Sequence, residues 1–146
     1  MGDRVAPPIR RLIEERKLTR FRASSDMIEK ELEGAQYDLN GAKSSLERED
    51  YKWATVQGYY SMFHAARALL YTSGYREKSH RALVTALNEL YVKTGKLESD
   101  HLENLKHAMD LREEADYSMT FSETGARELA RYAETFLTRV KEILGK

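Results

Sequence analysis

The residues best suited to chemistry are His80 and Arg112, which lie in different predicted helices. His80 stands in the first turn of its helix, between Lys78 and Arg81, where unpaired backbone amides attract anions. These positive charges disfavour imidazolium, and a neutral imidazole could accept the proton of a ribose 2′-hydroxyl. Arg112 could bind a phosphate with its planar guanidinium. We treat both residues as candidate catalytic residues and Lys78 as a candidate ligand-binding residue, although a lone histidine near a helix start is more often a surface or capping residue.

Asp116 and Tyr117 follow Arg112 on the same predicted helix. Asp116 is one turn from Arg112, close enough to orient the guanidinium, and Tyr117 adds a hydroxyl or a stacking surface. Both are candidate ligand-binding residues. The alternative is an ordinary surface ion pair, worth only a few tenths of a kcal/mol. Spacing along the sequence leaves both interpretations open.

Tyr60, His64 and Arg67 form a second candidate ligand-binding group. They are four and three residues apart, so their side chains share one face of a predicted helix. They could therefore contact a common ligand. The alternative is that Tyr60 and His64 are partly buried packing residues, while Arg67 reaches solvent or a carboxylate.

Several kinds of site are absent from the sequence. The chain has no cysteine, which excludes disulfides, thiolate catalysis and cysteine-based metal sites. His101 and His107 are six residues apart and would point in different directions on one helix. There is no glycine-rich phosphate loop and no G-x-S-x-G or H-E-x-x-H pattern. We predict no metal and no cofactor.

Apolar residues recur at helical spacing through most of the chain, and no segment shows sustained strand-like alternation. Side chains typical of helix starts precede these segments, and a glycine typical of a helix end follows one of them. The starts are Ser24, Asp50, Ser79, Ser99 and a Thr120/Glu123 capping box, and the glycine is Gly95. We predict an all-α fold without a sheet: an up-and-down antiparallel bundle of four long helices plus a short N-terminal helix.

The net charge of zero hides an uneven distribution along the chain. Residues 1–22 contain seven Arg or Lys and three Asp or Glu, a net charge of +4. We predict a basic N-terminal arm over residues 1–23 and a helical domain over residues 24–146. The arm could contact phosphates, although a solvated helix face is the simpler interpretation. The sequence shows neither a membrane span nor a signal peptide, which predicts a cytoplasmic protein.

Three ordered segments resemble one known family. They are the run YYSMFHAARALL at residues 59–70, then Lys78-Ser79-His80, then Leu111-Arg112 with Ala115-Asp116-Tyr117. Together they resemble a stand-alone prokaryotic protein of the HEPN domain family (higher eukaryotes and prokaryotes nucleotide-binding). The resemblance covers roughly residues 26–144 and leaves the N-terminal arm outside.

The resemblance implies a helical bundle that is frequently a homodimer and is often encoded beside a minimal nucleotidyltransferase in a toxin–antitoxin pair. Many HEPN proteins are metal-independent ribonucleases with an R-x4-6-H motif. This chain departs from that motif, because no histidine lies four to six residues after Arg112.

Three functions therefore stay open. The first is a binding module for a nucleotide, RNA or nucleotidyltransferase partner. The second is a metal-independent endoribonuclease toxin that uses His80 and Arg112. The third is a structural interaction subunit without a ligand. The second requires the fold to bring His80 beside Arg112, since catalytic partners need only be adjacent in space.

Overall fold

The computed structural model describes residues 5–146, which form six α-helices and two short β-strands. The order of elements is α1 (Pro7–Glu14), β1 (Leu18–Arg20), α2 (Ser25–Glu47), α3 (Tyr51–Thr72), β2 (Tyr75–Glu77), α4 (His80–Leu87), α5 (Ser99–Tyr117) and α6 (Glu123–Leu144). Helix α4 continues into one wider π-helical turn, Asn88–Val92. The predicted all-α bundle of four long helices, α2, α3, α5 and α6, is confirmed.

Helix α3 lies at the centre of the bundle because most of its surface is apolar. It packs against α2, α4, α5, α6 and β2. Tyr59, Met62, Leu69 and Leu70 are among its fully buried side chains. A helix that is apolar on nearly every side must be covered on nearly every side, which explains this central position.

The starts of α2, α3 and α4 lie where the sequence predicts them. The side chains of Ser24, Asp50 and Ser79 each accept a hydrogen bond from a backbone N–H in the first turn of their helix. Gly95 adopts the predicted left-handed conformation, with φ of 79°. The predicted Thr120/Glu123 capping box is wrong, because the side chain of Ser122 accepts the bond from the Gly125 backbone N–H instead.

The prediction that the chain has no sheet is also wrong. β1 and β2 pair in antiparallel register, with Leu18 opposite Glu77, Thr19 opposite Arg76 and Arg20 opposite Tyr75. Each strand has only three residues, which is too short for alternation to be recognised in a sequence.

The basic arm packs against the bundle over most of its described length. Ile9 and Leu12 of α1 and Leu18 of β1 belong to the hydrophobic core that the long helices share. Asp3 and Arg4 of the arm lie outside the described residues. The domain boundary at residue 23 stays a prediction. Within residues 5–146, no helix is both long and apolar enough to cross a bilayer.

Candidate functional site

A pocket of about 270 Å³ lies between the start of α4 and the side of α5, against α3. His80 and Arg112, which the sequence places in separate helices, both line it. The other lining residues are Tyr59, Ser79, Arg81, Met109 and Glu113. The structure thus brings the two candidate catalytic residues into one cleft.

The imidazole of His80 is fixed by contacts with two aromatic residues of α3. The hydroxyl of Tyr59 lies 2.6 Å from Nδ1 of His80, and the ring of Phe63 packs with its centroid 4.6 Å from the imidazole centroid. Nε2 makes no hydrogen bond with residues 5–146. His80 therefore has one nitrogen bound to the protein and one available to a ligand.

Two neutral tautomers of His80 suit this contact. Burial raises the pKa of Tyr59, so its phenol stays protonated at neutral pH. If the phenol donates to Nδ1, then Nε2 carries the imidazole proton and can donate to an anion. If Nδ1–H donates to the phenol oxygen, then Nε2 can accept a proton. The same geometry thus permits both anion binding and general base chemistry.

The environment of His80 favours its neutral form. Burial lowers the pKa of this imidazole below its ordinary value, and the positive charge of Arg112 lowers it further. The nearby carboxylate of Glu77 opposes this effect. The sequence predicts a neutral imidazole because of Lys78 and Arg81, whereas burial is the larger cause in the structure.

Arg112 is held among aromatic rings and beside a carboxylate. Its guanidinium carbon lies 5.3 Å from the ring centroid of Tyr60 and 5.9 Å from those of Tyr59 and Tyr117. Its Nε is 2.9 Å from Oδ2 of Asp116. That buried Nε forms no hydrogen bond of good geometry, so the pair is held by charge and not by a directed bond.

The two Nη groups of Arg112 make no hydrogen bond with residues 5–146. They form the side of the guanidinium that can bind a phosphate with two parallel bonds. The structure therefore places Asp116 and Tyr117 around Arg112, as the sequence indicates, and adds Tyr60, which the sequence groups with His64 and Arg67. Their roles toward a ligand stay predictions.

The charges that line the pocket favour an anion. Arg81 and Arg112 contribute two positive charges and Glu113 one negative charge, while burial lowers the pKa of His80 and so favours its neutral form. The volume is slightly below the range of about 300–1,000 Å³ that is typical of pockets for drug-sized ligands. The pocket thus suits a phosphodiester group with its nearest atoms better than a whole nucleotide.

His64 and Arg67 share a face of α3, as predicted, but both contact carboxylates. Nδ1 of His64 is 2.6 Å from Oε2 of Glu31, and Nη2 of Arg67 is 2.6 Å from Oε2 of Glu77. A ligand at this face would have to compete with these carboxylates. The contacts connect α2, α3 and β2, which gives both residues a structural role.

Tyr59 is the residue of the site that the sequence reasoning missed. Its helical spacing assigns it to the core, which is correct for a ring that is only 1% exposed. The one available signal is that a tyrosine, with a hydroxyl that needs a partner, occupies a core position. That the partner is His80, 21 residues later, depends on the tertiary fold.

Lys78 is exposed and follows β2 directly, but it does not line the pocket. Tyr117 is 78% exposed at the end of α5. Within the described part of the chain, no three His, Asp or Glu side chains are grouped so that they could hold a metal ion.

Comparisons with known proteins agree with the sequence resemblance. A family model described as the HEPN domain matches residues 28–143. A UPF0332 protein of Archaeoglobus fulgidus is 32% identical over 123 residues, which cover 83% of this chain and 98% of that protein. A Methanocaldococcus jannaschii protein named "Putative toxin MJ0605" is 31% identical over 77% of this chain and 85% of its own. The match with the family model begins after the basic arm.

Proposed function

Because this chain belongs to the HEPN domain family, we propose that it is a toxin-type protein that binds RNA in the pocket of His80 and Arg112 and cleaves it without a metal. The toxin name of the M. jannaschii relative supports the first part. The observation that carries the second part is the convergence of His80 and Arg112 in one cleft. No histidine follows Arg112 at the spacing of the family motif, and we assign the role of that histidine to His80, which lines the same cleft as Arg112.

The cleavage that this site can perform uses the RNA's own 2′-hydroxyl. Nε2 of His80 accepts the hydroxyl proton while the 2′-oxygen bonds to phosphorus. The bond from phosphorus to the 5′-oxygen breaks, and that oxygen takes a proton from water. The products are a 2′,3′-cyclic phosphate and a free 5′-hydroxyl, and His80 then returns its proton to solvent. Arg112 stabilises the negative charge that builds up on the phosphate oxygens.

A second candidate function is binding of an RNA or nucleotide phosphate without cleavage. Glu113 favours it, since a carboxylate in the pocket wall repels a phosphorane more strongly than a singly charged phosphodiester. Both functions use His80 and Arg112, so only the fate of the bound RNA separates them.

The experiment that tests the proposal is incubation of the purified protein with end-labelled single-stranded RNA in excess EDTA. We expect cleavage that leaves 2′,3′-cyclic phosphate ends. DNA of the same sequence and fully 2′-O-methylated RNA should stay intact, because neither has the attacking hydroxyl. Cleavage that EDTA abolishes, or equal cleavage of DNA, would overturn the metal-free mechanism. Binding without any cleavage would support the second candidate.

Three further expectations belong to the proposal. They are assembly as a homodimer, pairing with a nucleotidyltransferase antitoxin, and action in the cytoplasm. The family resemblance supports the first two. The toxin name of the relative is in keeping with an antitoxin partner.

A further inference from the structure

The two-stranded sheet carries a group of exposed cations beside the proposed RNA site. We call Lys17, Arg76 and Lys78, together with β1 and β2, the basic ribbon. All three side chains are exposed. β1 lies before the residues that match the family model, and β2 lies within them. The pairing of β1 with β2 brings cations of the arm and of the bundle together.

The basic ribbon is adjacent to the pocket. The backbone N–H of Lys78 donates to the carbonyl oxygen of Lys17 at 2.9 Å, so the two lysines are neighbours. Lys78 is two residues before His80, and successive Cα atoms are about 3.8 Å apart, which keeps their Cα atoms within about 8 Å. Ser79 between them lines the pocket. An RNA chain with one phosphate at His80 therefore has its neighbouring phosphates within reach of the ribbon.

The charges of the ribbon are largely unneutralised. Arg76 and Lys78 form no ion pair with residues 5–146. Lys17 contacts Glu15 at 3.5 Å, with both side chains about half exposed, which is a weak interaction in water. The carboxylate of Glu77 points inward and is only 3% exposed, so it does not cancel the charges outside. The surface is therefore suited to a polyanion.

Aromatic side chains lie next to these cations. The guanidinium carbon of Arg76 is 5.4 Å from the ring centroid of Phe21, and Phe21 packs against Tyr71 at 5.2 Å. Phe21, Arg22 and Tyr71 also line an open hollow of about 500 Å³. Phe21 is partly exposed, whereas Tyr71 is only 5% exposed and supports the ring of Phe21 from the protein side. A partly exposed ring beside cations suits a surface that binds the backbone and stacks a base of a single strand.

We propose that the basic ribbon binds the backbone of single-stranded RNA and directs the chain into the pocket of His80 and Arg112. This inference rests on the proposed function, because it names the surface beyond the pocket that the same RNA contacts. The ribbon adds affinity for long RNA, and the pocket acts on one phosphodiester.

The test compares RNA binding by the wild type and by the triple variant Lys17→Gln/Arg76→Gln/Lys78→Gln. The probe is a fluorescent 2′-O-methyl RNA of about 20 nucleotides, which the site cannot cleave. Each lost phosphate contact costs about fivefold in affinity at 0.1 M salt, so we expect binding about 100-fold weaker. The slope of log affinity against log salt should become shallower by about 2. Because Arg76 contacts Phe21, the double variant Lys17→Gln/Lys78→Gln, which leaves this contact intact, should show about a 25-fold loss.

A matched control removes three cations of α2 and α6 by Lys43→Gln, Arg131→Gln and Lys141→Gln. It has the same net charge change and should bind within about threefold of the wild type.

Equal losses of affinity in the control and the ribbon variants would overturn the inference and leave a non-specific charge effect. Wild-type affinity in the ribbon variants, with loss in Arg112→Gln, would overturn it while the proposed function stands. Loss of RNA binding in the ribbon variants but not in Arg112→Gln would support the ribbon and contradict the claim that the pocket binds RNA. No RNA binding by the wild type would overturn both proposals.

Discussion

His80→Ala should lower the rate of RNA cleavage by at least about 100-fold, because a positioned general base typically contributes 10²–10⁴-fold. Arg112→Gln should lower it by a similar factor, since the charge that stabilises the phosphorane is removed. Arg112→Lys should recover only part of the loss, because an ammonium cannot form the paired bonds of the guanidinium. The measurement is single-turnover cleavage of a defined RNA in EDTA.

Binding of 2′-O-methyl RNA separates the roles of the two residues. His80→Ala should keep most of the affinity, whereas Arg112→Gln should weaken it, because only the arginine supplies a charge to the ground state. His107→Ala and Arg131→Gln are controls of the same residue types outside the pocket and should cleave at the wild-type rate. Wild-type cleavage by His80→Ala would overturn the catalytic role of this histidine.

Variants of the Arg112–Asp116 pair test the third function, a structural interaction subunit without a ligand. Asp116→Asn keeps the size of the side chain while it removes the charge, and Arg112→Gln removes the charge and leaves a shorter polar side chain. Loss of RNA binding with unchanged thermal unfolding would indicate a site. Loss of the fold would indicate that this ion pair only stabilises the bundle.

Glu77→Ala should lower the free energy of unfolding by about 3 kcal/mol, because it leaves a largely buried guanidinium without its main partner. Glu77 is 3% exposed, and its Oε2 lies 2.6 Å from Nη2 and 3.1 Å from Nε of Arg67. Among the carboxylates, only Glu31 would still contact Arg67, at 3.5 Å. For a chain of this size the change corresponds to a midpoint of thermal unfolding about 6–12 °C lower. Urea unfolding at pH 7 measures the free energy directly.

The matched control is Glu103→Ala, which breaks a pair with Lys106 at 3.2 Å. Glu103 is 68% exposed, so its loss should cost less than about 0.5 kcal/mol. The double variant Glu77→Leu/Arg67→Leu should be more stable than Glu77→Ala, because it buries no unpaired charge. A loss for Glu77→Ala as small as that of the control would contradict this account of the buried pair.

The helical part of the fold could be predicted because its signals are local. The starts at Ser24, Asp50 and Ser79 each depend on a side chain three residues from the amide it contacts. The pairing of β1 with β2 could not be predicted in the same way, since it joins residues 55–59 positions apart, such as Leu18 and Glu77. The capping box at Thr120 failed because Ser122 offers an equally suitable side chain two residues later.

The candidate site shows the same difference between local signals and contacts that depend on the tertiary fold. Arg112, Asp116 and Tyr117 are neighbours on one helix, so their spacing indicates a cluster from the sequence alone. Tyr59 and His80 belong to different helices, and their contact depends on how α3 and α4 pack. For His64 and Arg67 the spacing correctly indicates a shared face, but the carboxylates opposite them come from other elements.

The most direct test of the pocket is an NMR titration of the His80 imidazole, assigned with His80→Gln, with and without a 2′-O-methyl dinucleotide. In the free protein we expect the pKa of His80 to lie below its ordinary value of about 6.5. A phosphodiester bound beside Nε2 favours imidazolium, so the titration midpoint should move to higher pH as the dinucleotide is added. Arg112→Gln should weaken this dependence on the dinucleotide. A dinucleotide that binds and leaves both the midpoint and the chemical shifts of His80 unchanged would contradict the claim that the pocket of His80 and Arg112 is the RNA site.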